Sequence, residues 1–72
     1  MYELRSTTEG TVVRVDVDEG QMVAEEDEIA MLEAESGRVV VVTDVPGVVR
    51  ELYVEAGSSV TPGTLIALID ES

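Results

Sequence analysis

The sequence predicts a small all-β protein, and three observations lead to that prediction. A shift of 37 positions lays residues 10–34 on residues 47–71 without a gap and with seven identical pairs. Short runs rich in Val, Ile and Leu are separated by turn residues in both halves. No segment has apolar residues at helical spacing. The repeat therefore indicates two equivalent sets of four short strands, residues 1–35 and 38–72, related by quasi-twofold symmetry in a small sandwich or flattened barrel.

The first half of the sequence predicts a half-buried strand, two turns and a buried strand, in that order. Residues 13–18 alternate valine with charged residues, which is typical of a half-buried strand. Asp18-Glu19-Gly20 predicts a turn, and Glu25-Glu26-Asp27 predicts a second one. The run Ile29–Leu32 predicts a buried strand.

The second half repeats this order. Leu52–Val54 corresponds to the first strand, Glu55-Ala56-Gly57 and Thr61-Pro62-Gly63 to the two turns, and Leu65–Ile69 to the buried strand. Asp44–Gly47 predicts a turn that leads into this half. Equivalent positions then share the core, so Val17 and Val54, like Ile29 and Ile66, are expected in strands with their side chains directed inward.

The spacing of shared apolar positions predicts an irregularity in each half. Positions 12/49, 15/52 and 17/54 are separated by three residues and then by two. A three-residue step reverses the facing of a strand, so a β-bulge is expected near residues 13–14 and again near 50–51.

Composition limits the classes of function. A chain of 72 residues forms one domain, and with neither Cys nor His it has no disulfide and no cysteine–histidine metal site. The net charge of −12 argues against nucleic acid and anionic membranes as partners. No apolar run reaches the ~20 residues of a membrane span, and no signal sequence is recognised, so a cytoplasmic protein is expected.

The chain has no lysine, since its four basic residues are all arginine. Three explanations remain open at this stage. The first is a high-salt proteome, in which lysine is scarce. The second is a GC-rich genome, which encodes arginine in place of lysine. The third is removal of lysine by design.

The junction between the halves is the region to search for function, and it includes Ser36 and Gly37. A two-residue connection between neighbouring strands predicts a tight, exposed hairpin. Ser36 is not a plausible nucleophile, because the chain has neither His nor Lys to act as its base. Glu33 and Glu35 could form a paired-carboxylate site, but a structural or recognition role is favoured. The run Glu25–Glu28 could chelate a hard cation, but a solvated turn is the better explanation.

Four consecutive valines follow the junction, Val39, Val40, Val41 and Val42. At least two of these side chains must face away from the core. The favoured explanation is a strand covered by residues 2–4, and the alternative is an exposed apolar strip for a partner or a homodimer.

The chain resembles the biotinyl/lipoyl carrier domains, in particular biotin carboxyl carrier proteins. The matching residues are Gly10 with Val12, residues 17–23, residues 31–34, Gly47 with residues 48–49, residues 54–57, Val60, residues 62–63 and residues 65–69. The resemblance covers nearly the whole chain. It implies the barrel-sandwich hybrid fold with a protruding hairpin, and the spacing from Glu33 to Gly47 is that of the family.

The hairpin departs from the family pattern. In the biotin-carrying members it reads Glu-Ala-Met-Lys-Met, with biotin held on the lysine, and lipoate is held on a lysine in the same way. Here it reads Glu33, Ala34, Glu35, Ser36 and Gly37, with Ser36 at the lysine position. A hydroxyl cannot form the stable amide that holds the group, so no cofactor and no cofactor-binding residue are expected.

The resemblance implies a non-enzymatic carrier of the acyl-CoA carboxylase type that cannot take the cofactor. Its expected role is a scaffold that docks on carboxylase or carboxyltransferase-type subunits, or an engineered unmodifiable carrier. The alternatives are a lipoyl-domain relative of a 2-oxoacid dehydrogenase and a structural adaptor with a lipoyl-like fold.

Overall fold

The fold consists of eight strands in two four-stranded antiparallel sheets, seen in a computed structural model that describes residues 1–71. One sheet has the order β1-β8-β6-β3 and the other β5-β4-β2-β7. The predicted all-β class is confirmed. The strands are β1 (Tyr2–Arg5), β2 (Gly10–Val15), β3 (Met22–Val23), β4 (Glu28–Ala34), β5 (Gly37–Val42), β6 (Gly47–Leu52), β7 (Ser59–Val60) and β8 (Leu65–Glu71).

The repeat in the sequence is a repeat in the structure. A shift of 37 residues carries β2, β3 and β4 onto β6, β7 and β8 with the same bounds. When β1 and β5 are exchanged as well, the order β1-β8-β6-β3 of one sheet becomes the order β5-β4-β2-β7 of the other. Each sheet therefore takes strands from both halves, so neither half has a sheet of its own and the two halves share one core.

Both predicted bulges are present. The register of β2 against β4 shifts between Val12 and Arg14, and that of β6 against β8 shifts between Val49 and Glu51. Val13 and Arg50 are the extra residues of the two strands. Each bulge lets the apolar side chains on its two sides reach the same core, although they stand three residues apart.

The core lies between the sheets and comes from equivalent positions of the two halves. Ile29, Leu32, Ile66 and Ile69 are fully buried. The remaining buried apolar residues are Leu4, Val12, Val17, Val23, Ala30, Val49, Val54, Val60 and Ala67.

The expectation that Val17 and Val54 lie in strands is wrong, although both are buried. β2 ends at Val15 and β6 ends at Leu52, so the two valines follow in irregular segments. After each strand the chain bends toward a turn, and the side chain reaches the core from that segment. For the same reason the predicted strand Leu52–Val54 contributes only Leu52 to a strand.

β5 lies at the edge of its sheet, and within residues 1–71 it pairs only with β4. β1, which was expected to cover it, belongs to the other sheet and lies across a groove of about 250 Å³. Val39 and Val41 are half-buried and pack against the core, whereas Val40 and Val42 are exposed. The valine run is thus divided between an inner and an outer face. No helix long and apolar enough to cross a membrane occurs in the described part of the chain.

Candidate functional site

The hairpin between β4 and β5 is the candidate site. Ala34 pairs with Gly37, and the two residues between them, Glu35 and Ser36, form the turn. All three residues from Glu35 to Gly37 are exposed. The turn thus begins one residue earlier than the predicted junction, because Gly37 is already the first residue of β5.

The geometry of the turn depends on Gly37. Neither Glu35 nor Ser36 has a positive φ, whereas Gly37 has φ +126°. L-residues rarely adopt that conformation, so a side chain at position 37 is strained. The bend that brings β5 back along β4 is therefore completed by glycine after the turn, and Ser36 stands in an ordinary backbone conformation.

The charged side chains next to the turn lie on the outer face of the sheet. Glu33 pairs in register with Arg38, and their charged groups are 3.8 Å apart. Both side chains are about 60% exposed (62% and 60%). At that exposure the ion pair contributes little to stability, so both groups are available to a partner.

The hairpin is flanked by two shallow clefts. One, of about 610 Å³, is lined by Thr8, Glu9, Gly10 and residues 34–36. The other, of about 490 Å³, is lined by residues 11–13 with Glu33 and Ala34. The segment before β2 therefore forms part of the surface around the turn. No local pattern in the sequence predicts that Thr8 and Glu9 lie beside the hairpin, and the signal that the sequence does contain is the matched glycine at the start of β2 and β6.

Gly10 allows that segment to lie close to the hairpin. A Cβ atom at this position would stand 2.7 Å from the carbonyl oxygen of Glu33, closer than real Cβ contacts. The contact is with backbone, which cannot move aside as a flexible side chain would. The absence of a side chain thus sets the distance between β2 and the end of β4.

The chemistry of the turn is limited to carboxylates and a hydroxyl. The chain has no lysine, so no ε-amine is present at any position. The first residues of the sequence lie at the other end of β5, because the Tyr2 hydroxyl donates to Asp44 at 3.0 Å. The six residues of β5 put about 20 Å between that end and the turn. A group that attaches to an amine at this hairpin does not fit the residues present.

The acidic run Glu25–Glu28 is divided between a turn and a strand. Glu28 begins β4, where it accepts a 2.7 Å hydrogen bond from Arg14, which also donates to Asp16 at 2.8 Å. Among residues 1–71 no group of three or more acidic side chains could hold a metal ion.

Comparison with known proteins gives a family for the chain. The model of the biotin/lipoyl family described as "Biotin-requiring enzyme" matches residues 3–69. One relative is the biotin-dependent acyl-coenzyme A carboxylase alpha3 subunit of Mycobacterium leprae (strain TN), which is 43% identical over 61 residues. That match covers 85% of this chain and 10% of the relative, so the chain spans about a tenth of the relative's length.

Solved structures have the same fold. The urea carboxylase of Kluyveromyces lactis superposes with a TM-score of 0.88 at 26% identity, over 96% of this chain and 6% of that protein. A single-chain, multi-domain long-chain acyl-CoA carboxylase gives 0.91 at 24% identity, over 99% and 7%. The lipoyl domain of the Azotobacter vinelandii 2-oxoglutarate dehydrogenase complex gives 0.82 at 22% identity, over 100% and 99%.

The last two similarities concern the fold alone. The carboxylase subunit, however, is similar at the level of sequence over most of this chain, and the family model matches nearly all of it. With two halves that both contribute strands to each sheet, and with an exposed β4–β5 hairpin, the chain belongs to the biotin/lipoyl carrier-domain family.

Proposed function

We propose that this chain is a carrier-type domain of a biotin-dependent carboxylase system that works without a prosthetic group. It docks on carboxylase or carboxyltransferase-type subunits through the β4–β5 hairpin and has no catalytic activity of its own. The observation that carries the proposal is an exposed two-residue turn, Glu35-Ser36, on the family's fold in a chain without lysine.

The carboxylase class is favoured by the relatives. The sequence match at 43% identity is to a carboxylase subunit, and the urea carboxylase at 26% identity adds a second carboxylase. Similarity to the lipoyl domain is limited to the fold. A partner of the carboxylase type is therefore the better choice than a 2-oxoacid dehydrogenase.

The absence of a prosthetic group follows from the chemistry of attachment. Biotin and lipoate require an amine that can form an amide, and the family presents it as a lysine on the hairpin. We place Ser36 at that position, where its hydroxyl is exposed but cannot form an amide bond. What remains for recognition is the shape of the hairpin and its carboxylates, Glu33 and Glu35.

The first experiment tests attachment. The chain is co-expressed with a biotin protein ligase or with a lipoate protein ligase, and its intact mass is measured. We expect no added mass for the unaltered sequence. We expect biotin on the variant Ser36→Lys, because the hairpin then carries a lysine at the position where the family attaches biotin. The matched control is Ala56→Lys, which adds a lysine to a different exposed turn and should remain unmodified.

A biotin or lipoyl adduct on the natural sequence would refute the unmodified carrier. Lipoylation of Ser36→Lys without biotinylation would favour the lipoyl relative instead. Gly37 is kept in this design because its φ of +126° disfavours the methionine that the family has there.

The second experiment tests docking. Excess natural chain is added to a biotin-dependent acyl-CoA carboxylase holoenzyme, and the rate of substrate carboxylation is measured. We expect competitive inhibition, since the chain occupies the surface that receives the enzyme's own carrier domain. A variant with Glu33→Arg and Glu35→Arg should inhibit less, whereas no inhibition by the natural chain at any concentration would contradict a docking role.

A further inference from the structure

The two edge strands β1 and β5 occupy equivalent places but carry different side chains. The shift of 37 residues relates Glu3 to Val40 and Arg5 to Val42. On β1 the outward pair is charged, and Arg5 contacts Glu3 at 2.8 Å. On β5 the same two positions are valines, 46% and 37% exposed. Charged residues on an edge strand protect it from pairing with other chains, and β5 lacks that protection.

The apolar character of this edge continues on the neighbouring strand. Val40 pairs with Met31 of β4, so the two side chains share the outer face. The free side of β5 borders the 250 Å³ groove that separates it from β1, and β1 therefore leaves this edge open. Within residues 1–71 no other strand pairs with β5.

We propose that β5 pairs antiparallel with β5 of a second copy of this chain, with Val41 opposite Val41 of the other copy. In this register the outer positions of one strand lie opposite outer positions of the other, as a shared sheet face requires. Val40 then lies opposite Val42 of the second copy, so the exposed valines cover one another.

Charge complementarity favours a second copy of this chain as the partner that pairs with the free edge of β5. In the same register Arg38 of each copy comes close to Asp44 of the other, which lies two residues beyond the end of β5 in the bend that follows it, so the pairing brings together two pairs of opposite charges related by a twofold axis. Arg38 is available, since its present partner Glu33 stands 3.8 Å away at an exposed position. Asp44 is also exposed, and its contact with the Tyr2 hydroxyl engages one carboxylate oxygen. The segment from Arg38 to Asp44 thus complements itself.

The net charge makes this association dependent on salt. Each copy carries −12, so the two copies repel one another at low ionic strength. The Debye length falls from about 10 Å at 0.1 M salt to about 3 Å at 1 M, which removes most of that repulsion. The dimer should therefore become tighter as salt is added. Because the pairing is antiparallel, the two β4–β5 hairpins point away from each other and both remain free to dock.

The test is sedimentation equilibrium of the full chain over a range of concentrations at low and at molar salt. We expect a monomer–dimer equilibrium whose Kd falls with salt. Arg38→Asp should raise Kd by about tenfold or more, which is about 1.4 kcal/mol. The double variant Arg38→Asp with Asp44→Arg should recover the dimer, since it exchanges the two charges. Arg50→Asp, on the other sheet, changes the net charge by the same amount and is the matched control.

A second pair of variants tests the register and leaves the core unchanged, since both positions are exposed. Val40→Glu with Val42→Glu places like charges opposite one another and should abolish the dimer. Val40→Glu with Val42→Arg places opposite charges together and should retain it. A chain that stays monomeric at every concentration and salt overturns the proposal, as does an effect of Arg38→Asp no larger than that of Arg50→Asp. Loss of the dimer in both double-valine variants overturns the register. Circular dichroism checks that each variant is folded.

Discussion

Ser6 and Thr43 hold the same place in the two halves, 37 residues apart, and are the buried polar side chains of the core. The Ser6 hydroxyl donates to the carbonyl of Thr8 at 2.6 Å and accepts from the amide of Thr8 at 3.3 Å. The Thr43 hydroxyl makes the equivalent contacts with Val45 at 2.7 and 3.2 Å. Each hydroxyl therefore hydrogen-bonds the amide and the carbonyl of a residue in the bend that follows an edge strand. The twofold relation thus includes positions at which the two halves have different residues.

Replacement of Thr43 by valine should destabilise the protein. Valine has nearly the same shape but no hydroxyl, so the partly buried backbone groups of Val45 lose their hydrogen-bond partner at a cost of about 1–3 kcal/mol. Thr43→Ser keeps the hydroxyl and is the control, with a smaller loss that comes from the missing methyl group. Urea denaturation measures the free energy of unfolding. Equal losses for Val and Ser would mean that packing, and not the hydroxyl, matters here.

Glu26 is the non-glycine residue with a positive φ, +71°, among residues 1–71, and its equivalent in the second half is Gly63, with φ +92°. The left-handed conformation costs an L-residue roughly 1 kcal/mol, and glycine adopts it without that cost. Glu26→Gly should therefore raise the free energy of unfolding. Glu25→Gly, at the adjacent exposed turn position without a positive φ, removes the same charge and should give no comparable gain in thermal denaturation. A larger gain from Glu25→Gly would assign the effect to charge.

Truncation of the core should be costly and similar in both halves. Ile29 and Ile66 are fully buried at equivalent positions, so replacement of either by alanine should cost on the order of 2–4 kcal/mol. Val17→Ala and Val54→Ala should also destabilise the fold, although both residues lie outside strands. Ser36→Ala at the exposed turn is the control and should change the free energy of unfolding by less than about 0.5 kcal/mol. A loss at Ser36 as large as that at Ile29 would contradict this account of the hairpin.

Thermal stability should rise with added salt. The charge of −12 on a small fold produces repulsion in the folded state, and salt screens it. Melting temperatures measured by calorimetry between low and molar sodium chloride should increase. Flat or falling values would count against a high-salt origin of the sequence. Measurement at several protein concentrations separates this effect from that of dimer formation.

Alkaline pH should weaken the contact between Tyr2 and Asp44. Burial, followed by the hydrogen bond to the Asp44 carboxylate, raises the pKa of Tyr2 above 10.0. A raised pKa means that the folded state favours the neutral hydroxyl, so its contribution is complete below pH 10 and is lost as the pH rises through the folded-state pKa. Tyr2→Phe should therefore lose less stability between pH 9 and pH 11 than the natural chain. The hydroxyl of Tyr53 donates to Glu51, and its pKa is also raised, so Tyr53→Phe shows whether the effect belongs to Tyr2.

Much of the fold could be predicted because its signals are local. The bulges at Val13 and Arg50 follow from a three-residue step in the apolar pattern, since the two faces of a strand alternate at every residue. The buried strands β4 and β8 follow from their short apolar runs in the same way. The hairpin could be located because Ser36 and Gly37 stand between two copies of one pattern, although the turn itself begins at Glu35.

The tertiary structure decided the features that depend on contacts between distant segments. Which strands share a sheet is set by pairing across the halves, as in β1 with β8, and no local pattern encodes it. The burial of Val17 and Ser6 comes from how the chain bends after a strand, and Thr8 joins the hairpin surface because Gly10 lets β2 approach the backbone of β4. The order of strands along the chain, the two bulges and the absence of lysine can all be read from the sequence alone. Long-range packing determines which strands pair and which side chains they bury, because those contacts form only once both halves are folded together.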